Sequence, residues 1–216
     1  MYLYWLDILG TFVFAITGGF RAIKYELDIL GVMVLSTAVG VGGGMMRDIL
    51  IGVTPPFALR NHDYLLTCCI AGACVFFFAR NIAPSWRVIL YTDAVGLAVF
   101  TAVGAQKAST AGLGLVGVLF IATIASVGGS IIRDVLTGEI PYIFTRDIYA
   151  SAALGGGFAF WACQSLNFDN RISFISAFVV VIVLRFIALK WNLNLPKSRK
   201  LPLSPSEMVK RKESST

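Results

Sequence analysis

Charge is what this chain of 216 residues has least of: Asp, Glu, Lys and Arg together make up 14% of it, against 57% for the apolar residues. A soluble globular domain carries about 25% charged residues, so a soluble enzyme and a secreted disulfide scaffold are excluded at the outset. There is a single histidine, His62, in a loop, and no Walker, Rossmann or zinc pattern and no known catalytic arrangement of polar groups. The chain reads as a non-enzyme without a cofactor. Its four cysteines, Cys68, Cys69, Cys74 and Cys163, lack paired spacing and sit inside apolar runs, where a thiol is a small hydrophobic side chain.

What is present is apolar length. Apolar segments cover 4–23, 29–52, 64–80, 86–106, 112–138, 149–166 and 172–191, most of them near the roughly 20 residues that carry a helix across a bilayer. The fold class is therefore an all-α membrane protein with seven transmembrane helices. The net charge of +6 does not argue for nucleic acid, because residues 197–216 hold six basic residues against Glu207 and Glu213. A basic, Pro- and Ser-containing tail of this kind, 196–216, reads as a disordered cytoplasmic extension that touches anionic lipid headgroups. The positive-inside rule then sets the C-terminus in the cytoplasm and, with seven spans, the N-terminus outside. On that topology Arg21, Lys24, Arg80, Arg87 and Arg146 fall in inner loops, and Arg60, Lys107 and Arg171 in outer ones. No basic residue precedes Arg21 and Asp7 interrupts the first apolar run, so the N-terminal segment is expected to stay as the first span and not to be cleaved.

A shift of 86 superimposes the chain on itself without a gap. Residues 41–48, Val-Gly-Gly-Gly-Met-Met-Arg-Asp, fall on 127–134, Val-Gly-Gly-Ser-Ile-Ile-Arg-Asp, and the register holds through Gly52 and Gly138, Pro55 and Pro141, and Arg60 and Arg146. Upstream it pairs Asp7 with Asp93, Gly10 with Gly96, Phe14 with Phe100, Gly18 with Gly104 and basic Arg21 with basic Lys107. Each copy holds three spans, so the second enters the membrane from the opposite side. The domains are a first three-helix repeat (1–86), a second, inverted one (87–171), and a seventh helix (172–195) that closes the bundle or packs at a subunit interface, followed by the tail. Inverted repeats of this kind put their working site near the bilayer midplane, often between interrupted helices.

Two groups of residues are candidates for that site. The first is the glycine runs Gly42, Gly43, Gly44 and Gly128, Gly129, Ser130, since each glycine inside a helix costs roughly 1 kcal/mol against alanine. Either they let helices pack closely, or they break helices two and five and free carbonyls toward a hydrated path. Ser36, Thr37, Thr123 and Ser126 lie near the runs and are candidate path residues, although hydroxyls of this type commonly bond back to their own helix. The second group is charged. Asp7, Arg47, Asp48, Asp93, Arg133 and Asp134 all fall within spans, where an ionised residue is functional by default, the other reading being ion pairs that merely hold helices together. Neighbours on a helix point about 100° apart, so Arg47 is expected to pair with Asp7 and Arg133 with Asp93, not with Asp48 and Asp134, which are left to bond helix ends or face the path. Pro55, Pro56 and Pro141 read as the stops of helices two and five.

The paired Gly-Gly-x-x-x-Arg-Asp motifs at 42–48 and 128–134, on two three-helix halves plus a seventh helix, resemble the prokaryotic TRIC (trimeric intracellular cation) channels, whose repeated domain is also labelled a glycine transporter. The resemblance covers about residues 3–190. It implies a symmetric homotrimer in the inner membrane, each protomer with its own pore past kinked helices two and five, conducting monovalent cations, chiefly potassium and also sodium. The second copy departs at one position, with Ser130 where the first has Gly44. A secondary transporter of a small solute such as glycine is the alternative, because inverted repeats with broken helices also serve carriers.

Overall fold

The structure is a computed structural model describing residues 2–82, 86–145, 148–191 and 193; the basic tail and Arg146 lie outside these. Among the described residues there are nine helices and no strand: α1 (Tyr2–Lys24), α2 (Ile29–Leu50), α3 (Phe57–Arg60), α4 (Asp63–Ile82), α5 (Trp86–Thr110), α6 (Leu115–Leu136), α7 (Tyr142–Thr145), α8 (Ala150–Ser165) and α9 (Asn170–Trp191). Five of them, α1, α2, α5, α6 and α9, are long and apolar enough to cross a membrane, whereas the apolar stretch of α4, Asp63–Phe78, and the 16 residues of α8 are shorter. Large apolar side chains such as Leu30, Phe77, Val116 and Leu166 point outward, as they do where the surrounding solvent is lipid and not water.

The boundaries have local causes. Asp28 opens α2 by accepting the Gly31 N–H at 2.7 Å, which satisfies one of the orphan donors of a first turn. The prolines do not close α2 and α6, as the sequence suggested. Gly52 (φ 81°) and Gly138 (φ 68°) do, three residues earlier. Each is the left-handed residue of a Schellman ending: Gly52 N–H donates to Ile49 O and Val53 N–H to Asp48 O, with Gly138 to Val135 and Glu139 to Asp134 in the second copy. Glycine reaches that φ at the least cost. The prolines instead lead into α3 and α7, short helices that the sequence reading took for plain loops.

The two repeats face each other with reciprocal contacts. A Cβ at Gly43 would stand 2.2 Å from Ala125 O, and one at Gly129 would stand 2.5 Å from Val39 O. Shifting either contact by 86 generates the other, which is the signature of a two-fold relation. The same reciprocity links Gly10 to the Phe100 ring and Gly96 to the Phe14 ring. The axis thus runs between the α2 and α6 glycines and between the two phenylalanines, whose rings stack at 5.2 Å. Outside the repeat, α9 packs on α5 and α8, with Val181 seated where a Cβ on Gly156 would fall.

The expectation of broken helices is overturned. Both α2 and α6 are helical without interruption through 42–44 and 128–130. The physical reason is the crossing itself. With backbone oxygens 2.2 and 2.5 Å from where a Cβ would be, the glycines are what let two intact helices touch backbone to backbone, the close-packing use of small residues in membranes.

Candidate functional site: two buried charge clusters

Each Arg-Asp dipeptide lies in the last turn of its helix, where a cation is favoured by the helix dipole. Around Arg47 the first cluster assembles. Its Nη1 and Nη2 donate to Asp7 Oδ1 and Oδ2, both at 2.9 Å, the two-pronged geometry that makes arginine–carboxylate pairs strong. Lys107, from the far end of α5, adds a contact to Asp7 Oδ2 at 2.8 Å, and the Tyr64 hydroxyl donates to the same oxygen at 3.2 Å. Two acids thus meet two bases. Asp7, Arg47 and Asp48 are each 1% exposed.

The second cluster is built by the equivalent residues. Arg133 Nη1 donates to Asp93 Oδ1 at 2.8 Å. Arg21, the counterpart of Lys107, bonds Asp134 Oδ1 at 3.1 Å and Glu139 Oε2 at 2.7 Å. Lys24 holds Glu139 from the other side at 2.9 Å, and the Tyr25 hydroxyl donates to it too. Three acids meet three bases. In each cluster the acids and bases thus balance in number.

The expectation that neighbouring Arg and Asp do not pair is wrong in both copies. Arg47 Nε donates to Asp48 Oδ1, and Arg133 Nε to Asp134 Oδ1, each at 2.9 Å. Their Cα–Cβ directions do diverge, but the long arginine side chain curls back across the gap while its fork reaches the other helix. The second oxygen of each aspartate accepts the first N–H of a short helix, Phe57 at 3.1 Å and Tyr142 at 2.9 Å. That first residue is aromatic in both halves and lies under the swapped base: Lys107 Nζ stands 4.8 Å from the Phe57 ring centroid, and the Arg21 guanidinium 5.3 Å from that of Tyr142. Such cation–π contacts strengthen when desolvated.

The candidate path residues fall in several different contacts. Gly42, Gly43, Gly128 and Gly129 are filled by the α2–α6 crossing, while a Cβ on Gly44 would meet Phe100 at 3.5 Å and Ser130 is buried. Ser36 Oγ faces Gly19 of α1 and Gly72 of α4, and Thr37 is half-buried elsewhere on the turn. Thr123, Ser126 and Ser130 each bond a carbonyl three or four residues back in α6. Residues that the sequence reading did not assign to the site are Arg21, Lys107, Glu139, Tyr64 and Arg185. Arg185 of α9 is 3% exposed, donates to Ile148 O at 3.0 Å and lies over the Tyr149 ring. Its signal was an ionisable residue in an apolar run.

Comparison with known proteins matches this architecture. The family model described as Glycine transporter matches twice, over residues 4–81 and 90–165, one match per repeat. The chain belongs to this TRIC-type family. Among curated relatives, the UPF0126 membrane protein of Deinococcus radiodurans is 36% identical over 202 residues, covering 93% of each chain. The UPF0126 inner membrane protein YadS of Escherichia coli K12 is 37% identical over 199 residues, covering 91% of this chain and 96% of its own. Among solved structures, the TRIC trimeric intracellular cation channel orthologue from Rhodobacter sphaeroides superposes with a TM-score of 0.85 at 35% identity, covering 89% of this chain and 99% of that one. A prokaryotic TRIC channel crystallised in 0.5 M KCl gives 0.83 at 38% identity, covering 90% and 100%. This family member is a multi-pass inner membrane protein.

Proposed function

We propose that the chain is a potassium-conducting cation channel, one pore per protomer of a homotrimer, with seven spans, the N-terminus outside and the C-terminus cytoplasmic. The ion path follows α1 and α5 beside the glycine crossing, and the two charge clusters close its ends. One observation carries this reading: two buried, neutral clusters stand at opposite ends of one four-helix core. Along α1 the separation from Asp7 to Arg21 is 14 residues, about 21 Å of helix, a fair share of a roughly 30 Å hydrocarbon core. Buried ion pairs are weak stabilisers beside apolar packing of the same volume. Two repeat-equivalent sets inside an apolar bundle therefore argue for a function, and balanced pairs that can exchange partners suit a gate.

Likeness to structures named as cation channels supports the same reading, while the glycine-transporter description of the family model and the inverted repeat favour a carrier as the second. Purified protein in planar bilayers under asymmetric KCl and NaCl separates them. Single-channel current steps reversing near the potassium potential are expected. Smooth, saturable uptake of radiolabelled glycine into liposomes, without current steps, would put the carrier first.

A further inference from the structure

Phe14 shares a helix face with both charged ends of α1. Asp7, Phe14 and Arg21 are spaced seven residues apart, and so are Asp93, Phe100 and Lys107 on α5. Seven residues are close to two full turns, so on each helix the acid, the ring and the base form one stripe, with the ring about 10 Å along that helix from either of its own charges; the Arg47 guanidinium of α2 stands 6.0 Å from the Phe100 ring centroid. The two rings meet on the pseudo-two-fold axis. They stack with centroids 5.2 Å apart and planes at 26°, and they are 0% and 1% exposed. Each is pressed into the glycine of the other helix: a Cβ at Gly10 would fall 2.9 Å from the Phe100 ring, and one at Gly96 would fall 2.8 Å from the Phe14 ring. On their other side lie Gly129, whose Cβ would be 3.7 Å from Phe14, and Gly44, whose Cβ would be 3.5 Å from Phe100.

We propose that the Phe14–Phe100 stack is the central hydrophobic gate of the protomer, excluding hydrated monovalent cations midway between the two charge clusters. The proposal rests on the channel reading and adds to it a closing element that carries no charge. An apolar constriction blocks ions by dewetting, because a cation cannot shed its water against groups that offer no oxygen. The stripe explains why both halves keep a phenylalanine here: whatever moves from one cluster to the other along α1 and α5 passes the rings. The two sockets, Gly10 and Gly96, hold the rings edge-on to the opposite helix.

The test is potassium flux from liposomes holding equal amounts of assembled protein. Phe14→Ala with Phe100→Ala is expected to raise basal flux severalfold, and Phe14→Leu with Phe100→Leu, which keeps the apolar bulk, is expected to leave it near the wild-type level. Phe77→Ala, at an outward-facing ring, serves as the control and should change nothing. A monodisperse alanine double variant with flux at or below wild type overturns the gate while the channel reading stands, since the wild type still conducts. Absence of potassium flux from the wild type, with glycine uptake instead, overturns the reading beneath it. Should the double variant not assemble, Phe100→Cys decides. It should leak, and coupling a benzyl group to that thiol should reclose it, with wild-type protein as the control for Cys68, Cys69, Cys74 and Cys163. A Phe100→Cys thiol that does not react, or whose reaction leaves flux unchanged, puts the ring outside the path and ends the proposal.

Discussion

The two charge clusters come from the same motif yet are not equally complete. Around Arg47 every guanidinium nitrogen and both Asp7 oxygens are engaged. Around Arg133, Nη2 and Asp93 Oδ2 are buried with no hydrogen-bond partner among the described residues, and so is the Tyr149 hydroxyl nearby. The difference traces to one exchange. Lys107 bonds Asp7, the acid its own arginine grips, whereas its counterpart Arg21 bonds Asp134 and Glu139. Glu139 stands where the first copy has Val53. Duplication thus kept the motif, and divergence outside it moved the second cluster's reinforcement away from the membrane-embedded pair and toward the helix end. The second pair is the one with less to lose on opening.

Breaking the pairs tests that difference most strongly. Asp7→Ala leaves Arg47 and Lys107 to share Asp48 alone and is expected to cost about 3–5 kcal/mol, the range for removing one partner of a buried ion pair. Asp93→Ala removes a single bond and should cost clearly less, read as melting temperature of the trimer in detergent. Equal losses would sink the claim that the clusters differ. Next in size is the crossing, where the halves should instead behave alike. Gly43→Ala and Gly129→Ala each force a Cβ onto a backbone oxygen, so both should destabilise by about 1–3 kcal/mol as overpacking does. Gly44→Ala has 3.5 Å to its nearest neighbour and should be tolerated, as Ser130 already is at the equivalent place. A smaller effect is expected from Arg185→Met. Among the described residues this buried arginine makes no ion pair, and its Nε lacks a partner; an apolar side chain of similar length should leave the melting temperature unchanged or raise it. A clear drop would mean the guanidinium holds α9 in place.

Much of this was legible in the sequence, and the failures share one cause. The repeat at 86 paired Asp7 with Asp93 and Arg47 with Arg133, and the expected bonds from Arg47 to Asp7 and from Arg133 to Asp93 are those the folded chain makes. Spacing says nothing about side-chain reach, so the bonds from Arg47 to Asp48 and from Arg133 to Asp134 were missed. The same limit hid Arg21: the register matched it to Lys107, but only the folded chain reveals that the longer, forked side chain picks a different acid. The glycines are the instructive case. Their number announced that backbone mattered at 42–44 and 128–130, yet a broken helix and a close crossing ask for the same residue, and only the oxygens opposite Gly43 and Gly129 decide between them. Gly52 and Gly138 carried their signal openly, a glycine just past an Arg-Asp helix end, and the prolines behind them drew attention away.

Glu139 offers the finest test, because it belongs to the second cluster alone and sits outside the spans. Partial burial opposes its ionisation, but hydrogen bonds from Tyr25 and Lys24, with the charges of Arg21 and Lys24, outweigh that and pull its carboxyl from the ordinary 4.5 down to about 2. A depressed carboxylate stabilises the fold at pH values above its unfolded pKa and loses that contribution as pH falls toward its folded one. The latch should therefore be constant from pH 8 to about 5 and fade between about 4.5 and 2. Its size should be about 1 kcal/mol or less, since the side chain is 25% exposed and solvent screens such pairs. The comparison to make is wild type against Glu139→Gln, because every other carboxylate titrates alike in both. A melting-temperature gap near neutral pH that narrows steadily on acidification fits the latch. A gap that persists at pH 2.5 would show that shape and not charge holds this end of the second cluster, and the proposed transfer of reinforcement from Asp93 to Glu139 would lose its electrostatic basis.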